Sequence, residues 1–328
     1  MKAWARAVTA AAALALAATA CGSPPPSPAA RAPSVEPRWQ DVIDTIPELL
    51  VVVRPRALRD DRVYGPLLKR AIAAARQYSQ VVDATQTLET IEDAEEVVVG
   101  WRPETHERPG EMLFVERGVR ADVDPGKLVD DGGQPLWTPG PAGAARELVR
   151  ERDEHGAPVD ASLFEMPGRT WLVVTGPARA RARDALAHPT QRPPIQLDAT
   201  ALALVRFDGP LLVSHIPLFQ ERGSLGVVGR RLKSVTLVLP PGNEGAVKAV
   251  FAYADDDAAA FSEVAFHEFS AEIARRKIER LAWLGAAKVE RPDRRVIVTA
   301  PLPPQFVASL LYAGSAPMDL DVPPSSPR

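Results

Sequence analysis

The sequence predicts an α+β fold built from two tandem, similar units, each an antiparallel or mixed sheet with helices packed on one face. Three observations point there. Short apolar runs, too short for helices, recur along the chain. Two pairs of these runs flank Pro167-Gly168 and Pro292-Asp293, turn dipeptides that mark hairpins and therefore antiparallel neighbours. The order of strands and helices in the first half also returns in the second. A doubly wound parallel sheet would need a crossover helix between most strands, and the hairpins leave no room for one.

In the first unit, residues 38–190, Leu49–Val53 reads as a buried strand. A helix follows over Pro66–Tyr78, with Leu68, Ala71, Ile72 and Ala75 on one face and Pro66 suited to its first turn. Glu96–Trp101 and Glu111–Arg117 read as neighbouring strands, and Ala142–His155 as a helix stopped by Gly156. Ser162–Met166 and Thr170–Thr175 form the first hairpin, and Ala178–Ala187 a short helix. The polar, proline-rich His188–Pro194 is the expected join.

In the second unit, residues 191–313, Ala201–Arg206 is a strand. Leu211–Phe219 makes a poor helix because Pro217 interrupts it. Val235–Leu239 and Ala246–Ala254 are strands, and a long helix begins at Asp255. Ala258, Ser262, Ala265, Phe266, Phe269 and Ile273 share a face of that helix, which should break near Arg275-Arg276-Lys277. Ala287–Glu290 and Arg295–Thr299 form the second hairpin, and Pro304–Leu311 a closing helix. Arg169–Pro177 aligns without gaps on Asp293–Pro301: an apolar strand, Val-Thr, a small residue, a proline, then a helix.

The 328-residue chain carries 39 basic and 42 acidic residues, a net charge of −3. That balance lacks the clustered positive field of nucleic-acid binding, so DNA and RNA are set aside as partners. Aromatic residues make up only 6%, so the cores should rest on many small contacts rather than ring stacks. The single cysteine, Cys21, rules out an internal disulfide.

That cysteine sits at the end of an export signal. Lys2 and Arg6 give a charged start, Ala7–Ala18 a short apolar run, and Ala18-Thr19-Ala20-Cys21 a small-residue cleavage site. The segment resembles the signal of bacterial lipoproteins, departing from their pattern at Ala18, where leucine is usual. The resemblance implies removal of residues 1–20 and acylation of Cys21, with the membrane reached through that lipid. It also implies the cell envelope. By resemblance to the lipoproteins of two-membrane bacteria, Gly22 in place of aspartate implies the outer membrane, facing the periplasm. Residues 21–37 then form a lipid-anchored tether whose prolines fix φ and lack donors, able to reach roughly 50 Å at ~3.1 Å per residue. Residues 314–328 are a second Pro/Ser-rich segment, expected to be a disordered tail.

Local motifs do not reach catalysis. His267-Glu268 opens like H-E-x-x-H, but Ala271 stands where the second histidine belongs. Asp122-Val-Asp124-Pro-Gly126 begins like a calcium loop and fails at Gly126, Lys127 and Gly133, leaving an Asp-Pro-Gly turn. Gly223, Gly226 and Gly229 are evenly spaced with no strand leading in, as in a surface loop rather than a phosphate cradle. Arg179, Arg181 and Arg183 read as a solvated helix face. Trp137, on a Pro/Gly-rich loop, is the candidate binding residue, or else pins its own loop to the core. No catalytic residue, metal site or cofactor is assigned. The expected function is a lipid-anchored, non-catalytic envelope protein whose surface or inter-unit groove binds a protein or other envelope partner. The alternatives are an exported hydrolase without a local motif and a carrier of an apolar ligand.

Overall fold

A computed structural model describes residues 38–43, 46–66, 93–119, 122–127, 129, 133–135, 137–142, 146–152, 158–188, 200–215, 224–242, 246–277, 282–301 and 303. The signal segment, Cys21, the tether, the tail and the expected helix at 304–311 lie outside them, as does all of the helix at 66–78 beyond Pro66. The expected join falls outside too, apart from His188.

The α+β expectation holds, with one sheet in place of two. The strands are β1 (Leu49–Val53), β2 (Glu96–Arg102), β3 (Glu111–Arg117), β4 (Thr138–Pro139), β5 (Arg146–Arg152) and β6 (Pro158–Met166). They continue with β7 (Thr170–Thr175), β8 (Ala203–Asp208), β9 (Leu232–Leu239), β10 (Ala246–Tyr253), β11 (Lys288–Glu290) and β12 (Arg295–Pro301). The helices are α1 (Trp39–Val42), α2 (Pro55–Asp60), α3 (Ala178–Ala187), α4 (Gly209–His215), α5 (Ser224–Gly229), α6 (Asp256–Arg276) and α7 (Ala282–Gly285). The described strands form a 12-stranded sheet in the order β11-β12-β10-β9-β8-β1-β2-β3-β7-β6-β5-β4, antiparallel throughout.

The seam between the halves is the β1–β8 pair, with Val51 opposite Val205. Outward from it, β1-β2-β3-β7-β6 on one side has the same order as β8-β9-β10-β12-β11 on the other. Each is a three-strand meander followed by a hairpin whose later strand lies inside. β4 and β5 have no strand counterpart, and the second half places α6 and α7 at that point of the chain. Ladder partners followed out from the seam place Val173 in the position of Val298. The gapless sequence match places it on Ile297, one residue away. Since a one-residue slip exchanges the faces of a strand, the match finds the right elements in the wrong register.

Two sequence expectations are overturned. Arg146–Arg152 is strand β5, not a helix: its ladder with β6 buries Glu147 and Leu148 on opposite faces, so tertiary pairing overrides the helical propensity of its Arg, Glu and Leu residues. Leu211–His215 does lie in a helix, α4, which begins with Gly209-Pro210 in its first turn. By contrast, α6 follows its periodicity closely. Asp255 caps it by accepting from the Ala258 N–H at 2.9 Å, Ser262, Ala265, Phe266 and Ile273 are buried, and Lys277 ends it in the left-handed region at φ 50°.

Alternation sends successive side chains to opposite faces of the sheet. On the front face of the first half, Leu50, Val52, Val98, Leu113, Val115, Leu172 and Val174 pack beneath Trp39 and Val42 of α1 and the alanines of α3. On the back face of the second half, Phe207, Val235, Phe251 and Val296 pack beneath α4, α5 and α6, with the Phe251 and Phe266 rings 4.6 Å apart. The back face of the first half is covered by Val119 and Trp137 over Val97, Phe114, Leu163 and Val173. The helices are therefore divided between the two faces.

Leu50 is fully buried in β1, beside the seam. Leu50→Ala should cost about 2–5 kcal/mol, read as a lowered urea midpoint at unchanged slope.

Candidate functional site

The densest polar arrangement lies on the front face of the first half, where α3 crosses the sheet. Ala178, Ala182 and Ala185 form the buried side of α3, and their small side chains let the helix lie close to the strands. The long arginines on its flanks can then reach down to carboxylates on either side. Arg181 Nη2 donates to Glu111 Oε2 of β3 at 2.6 Å, while Arg102 Nη1 of β2 donates to Glu111 Oε1 at 2.5 Å. On the other flank, Arg183 Nη2 and Nε donate to Glu147 of β5 at 2.7–3.1 Å, and Arg179 Nε donates to Ser162 Oγ at 2.8 Å. Arg179 also pairs with Asp160. These arginines straddle the helix as ion-pairing groups, which corrects their reading as a solvated face. The sequence held one sign of this: alanines at one-turn spacing between the arginines mark a close approach.

Ser162 has the partners of a structural hydroxyl. It is fully buried and donates to Glu147 Oε1 at 2.6 Å. Burial pushes the Glu147 carboxyl up, but the hydrogen bonds from Arg183 and Ser162 and the charges of Arg183 and Arg179 outweigh it and hold the group below its ordinary value. A carboxylate stabilised in this way is a weak base, and the Arg179 donor withdraws the lone pair that a nucleophilic oxygen would use.

The histidines do not join this cluster. His106 and His267 are exposed, and His188 Nδ1 lies 3.3 Å from Asp184 with both side chains in solvent. His155 and the side chain of His215 lie outside the described residues. Among the described residues, no three or more His, Cys, Asp or Glu side chains gather as a metal site. Asp124 sits in a turn, where its Oδ1 accepts from the Gly126 N–H at 3.0 Å and pairs with Arg146 at 3.3 Å. Gly226 and Gly229 belong to helix α5, where Val228 is fully buried, so the second half of that glycine series is not a loop.

Trp137 is 2% exposed and packs into the back-face core, with the Arg150 guanidinium 6.0 Å from its ring centroid. It pins its own loop and is not offered to a partner as a contact anchor, which corrects its place as candidate binding residue.

Two features could receive something. Beside Arg102, Glu111 and Arg181 is a front-face cleft between α1, α3 and β2–β3 of about 20 Å³, the room of a single water. On the back face, over the seam, the cover by described residues thins out. Val51, Val99 and Val205 are only half-buried, and Leu237 is 38% exposed in the middle of the sheet. The strip lies between the α4–α6 layer and the Trp137 layer.

No protein-family model matches the sequence, and no curated protein aligns with it. A solved structure described as "Structure of crystal form I of TP0453" is similar at a TM-score of 0.48 and 12% identity, over 87% of this chain and 99% of that one.

Glu147→Gln should lower stability by about 1–3 kcal/mol, a range discounted for Arg183, whose side chain is 42% exposed. Because the folded carboxyl titrates below its ordinary value of 4.5, its contribution is complete above that value and is lost as pH falls through the folded one. Urea unfolding between pH 3 and 7 should therefore show a shallower acid limb in the variant.

Proposed function

We propose that this chain is an exported, lipid-anchored envelope protein that acts by binding a partner, with its two halves as repeats of one unit. One observation carries the reading: Cys21 directly follows the small residues that close a short apolar run, and the proline-rich stretch 22–37 follows it. Acyl chains on Cys21 would give the multiple-chain anchor that stable attachment needs. The tether would hold the sheet clear of the lipid surface.

The polar clusters support binding over hydrolysis. Ser162 lies between an arginine and a carboxylate that is a weak base, and the histidines whose side chains are described face solvent. The matching strand order about the seam supports the repeat, and the partly uncovered strip of Val51, Val99, Val205 and Leu237 supports a protein contact at the junction. An apolar-ligand carrier has less support, since ligand pockets commonly measure ~300 Å³ or more and the front-face cleft offers about 20 Å³.

Cys21→Ser should move the protein from the membrane fraction to the soluble fraction, read by fractionation at high salt. A variant that stays with the membrane would defeat the anchor. Affinity capture of the anchored protein from its own envelope should recover a partner, and Leu237→Glu should lose it without loss of folding, checked by circular dichroism.

A further inference from the structure

Glu116 lies on β3 with no exposed surface, and neither carboxyl oxygen has a hydrogen-bond partner among the described residues. Its ladder neighbours are Val97 of β2 and Trp171 of β7, both buried and apolar on the same back face. Two residues on, the chain turns at Gly118 with φ +79°, where an added Cβ would sit 2.7 Å from Glu95 Cγ, and Val119 and Trp137 complete the same core. The N–H groups of Gly118 and Val119 both donate to the Arg169 carbonyl at 3.1 Å, which fixes the path of the chain as it leaves the strand.

Of the charged groups on the surrounding elements, Arg146, Lys127, Arg150 and Glu95 have partners of their own. Arg146 of β5 pairs with Glu165 of β6 at 2.8 Å and with Asp124 at 3.3 Å, and Lys127 lies 3.9 Å from Asp124. Arg150 of β5 donates through Nε to the Arg152 carbonyl at 2.8 Å and lies over Trp137. Glu95, ahead of β2, pairs with Arg117 at 3.4 Å and with Arg56 at 3.7 Å. β2 and β7 present Val97 and Trp171 to Glu116 and no charge. A carboxylate in such a place has lost its water and gained no counter-charge from the described residues, so its neutral form suits the site better.

We propose that Glu116 is a proton-operated joint in the back-face core: neutral, it leaves the Val119–Trp137 layer packed on β3, and ionised, it loosens that layer. Desolvation raises its pKa from 4.5 to about 7, which sets the range over which the joint works. The folded group binds its proton more tightly than the unfolded one, so on account of this group the half loses stability as pH rises from about 4.5 to 7. Across the full titration, from below 4.5 to above 7, the unfolding equilibrium constant should rise by about 100- to 300-fold on account of this one group. An exported protein whose surroundings acidify would gain firmness in the half that carries Trp137.

The test uses the full chain. Urea unfolding from pH 5 to 8 should show stability falling with pH in the wild type. In Glu116→Gln, a neutral isostere, that fall should vanish, and stability at pH 8 should approach the wild-type level at pH 5. An unchanged fall in Glu116→Gln would overturn the proposal. Should that variant fail to fold, acrylamide quenching of the wild type and of Trp137→Phe decides. Quenching that increases from pH 6 to 8 in the wild type and not in Trp137→Phe supports the joint. Quenching that stays flat, or that increases equally in both, overturns it.

Discussion

The antiparallel pairing of β1 with β8 is the contact on which the rest of the structure depends. Without it, the halves would be two separate sheets, each exposing a Val-rich edge at Val51 or Val205. With it, a single row of side chains runs from Val298 through Ala249, Leu237, Val205, Val51, Val99 and Phe114 to Val173. The pairing is costly to reach, since its partners are about 150 residues apart and loop closure must be met before the ladder returns any free energy. Local hairpins such as β6–β7 and β11–β12 have no such handicap. The expected order of assembly is two local meanders followed by their joining.

Joining the halves leaves each face to be covered separately, and the two halves do this differently. The front of the first half lies beneath α3, whose alanines bring it close and whose arginines hold it at both flanks. The back of the second half lies beneath α6 and its phenylalanines. Two buried glutamates show what this division does to identical chemistry. Glu147, on the front face, meets Arg183 and Ser162 and stays ionised. Glu116, on the back face between Val97 and Trp171, meets no charge among the described residues, and burial pushes its pKa up to about 7. Placement by the sheet, more than residue type, decides which one titrates near neutrality.

Most of the elements were legible in the sequence. The hairpin of β6 and β7, the bounds of α3 and the buried face of α6 follow from turn dipeptides and periodicity, both local signals. The misreadings came from non-local pairing. The charges of β5 suited a helix, and only its ladder to β6 shows that they alternate across a sheet. The arginines of α3 looked solvated because their partners, Glu111 and Glu147, stand 70 and 36 residues away in the chain. Trp137 could be a surface anchor or a core pin on sequence alone, and its burial against Arg150 decides for the pin. Glu116 gave no local sign, since the sequence alone does not reveal which strand neighbours will surround it.

The ends of the sheet constrain how copies of this chain can associate. The outermost strands are β4, with two residues, and β11, with three. The seven-residue strands behind them are covered only at Leu148–Val149 and at Ile297–Thr299. What remains of the β5 rim carries Arg146, Glu151 and Arg152, and an irregularity between Arg150 and Arg152 disturbs its ladder. Along these described edges an incoming strand finds few regularly spaced backbone donors and acceptors to register against. Polymerisation through the backbone, which side-chain substitutions can scarcely tune, is thereby discouraged. Recognition is left to side chains on the faces, where a single substitution can alter it.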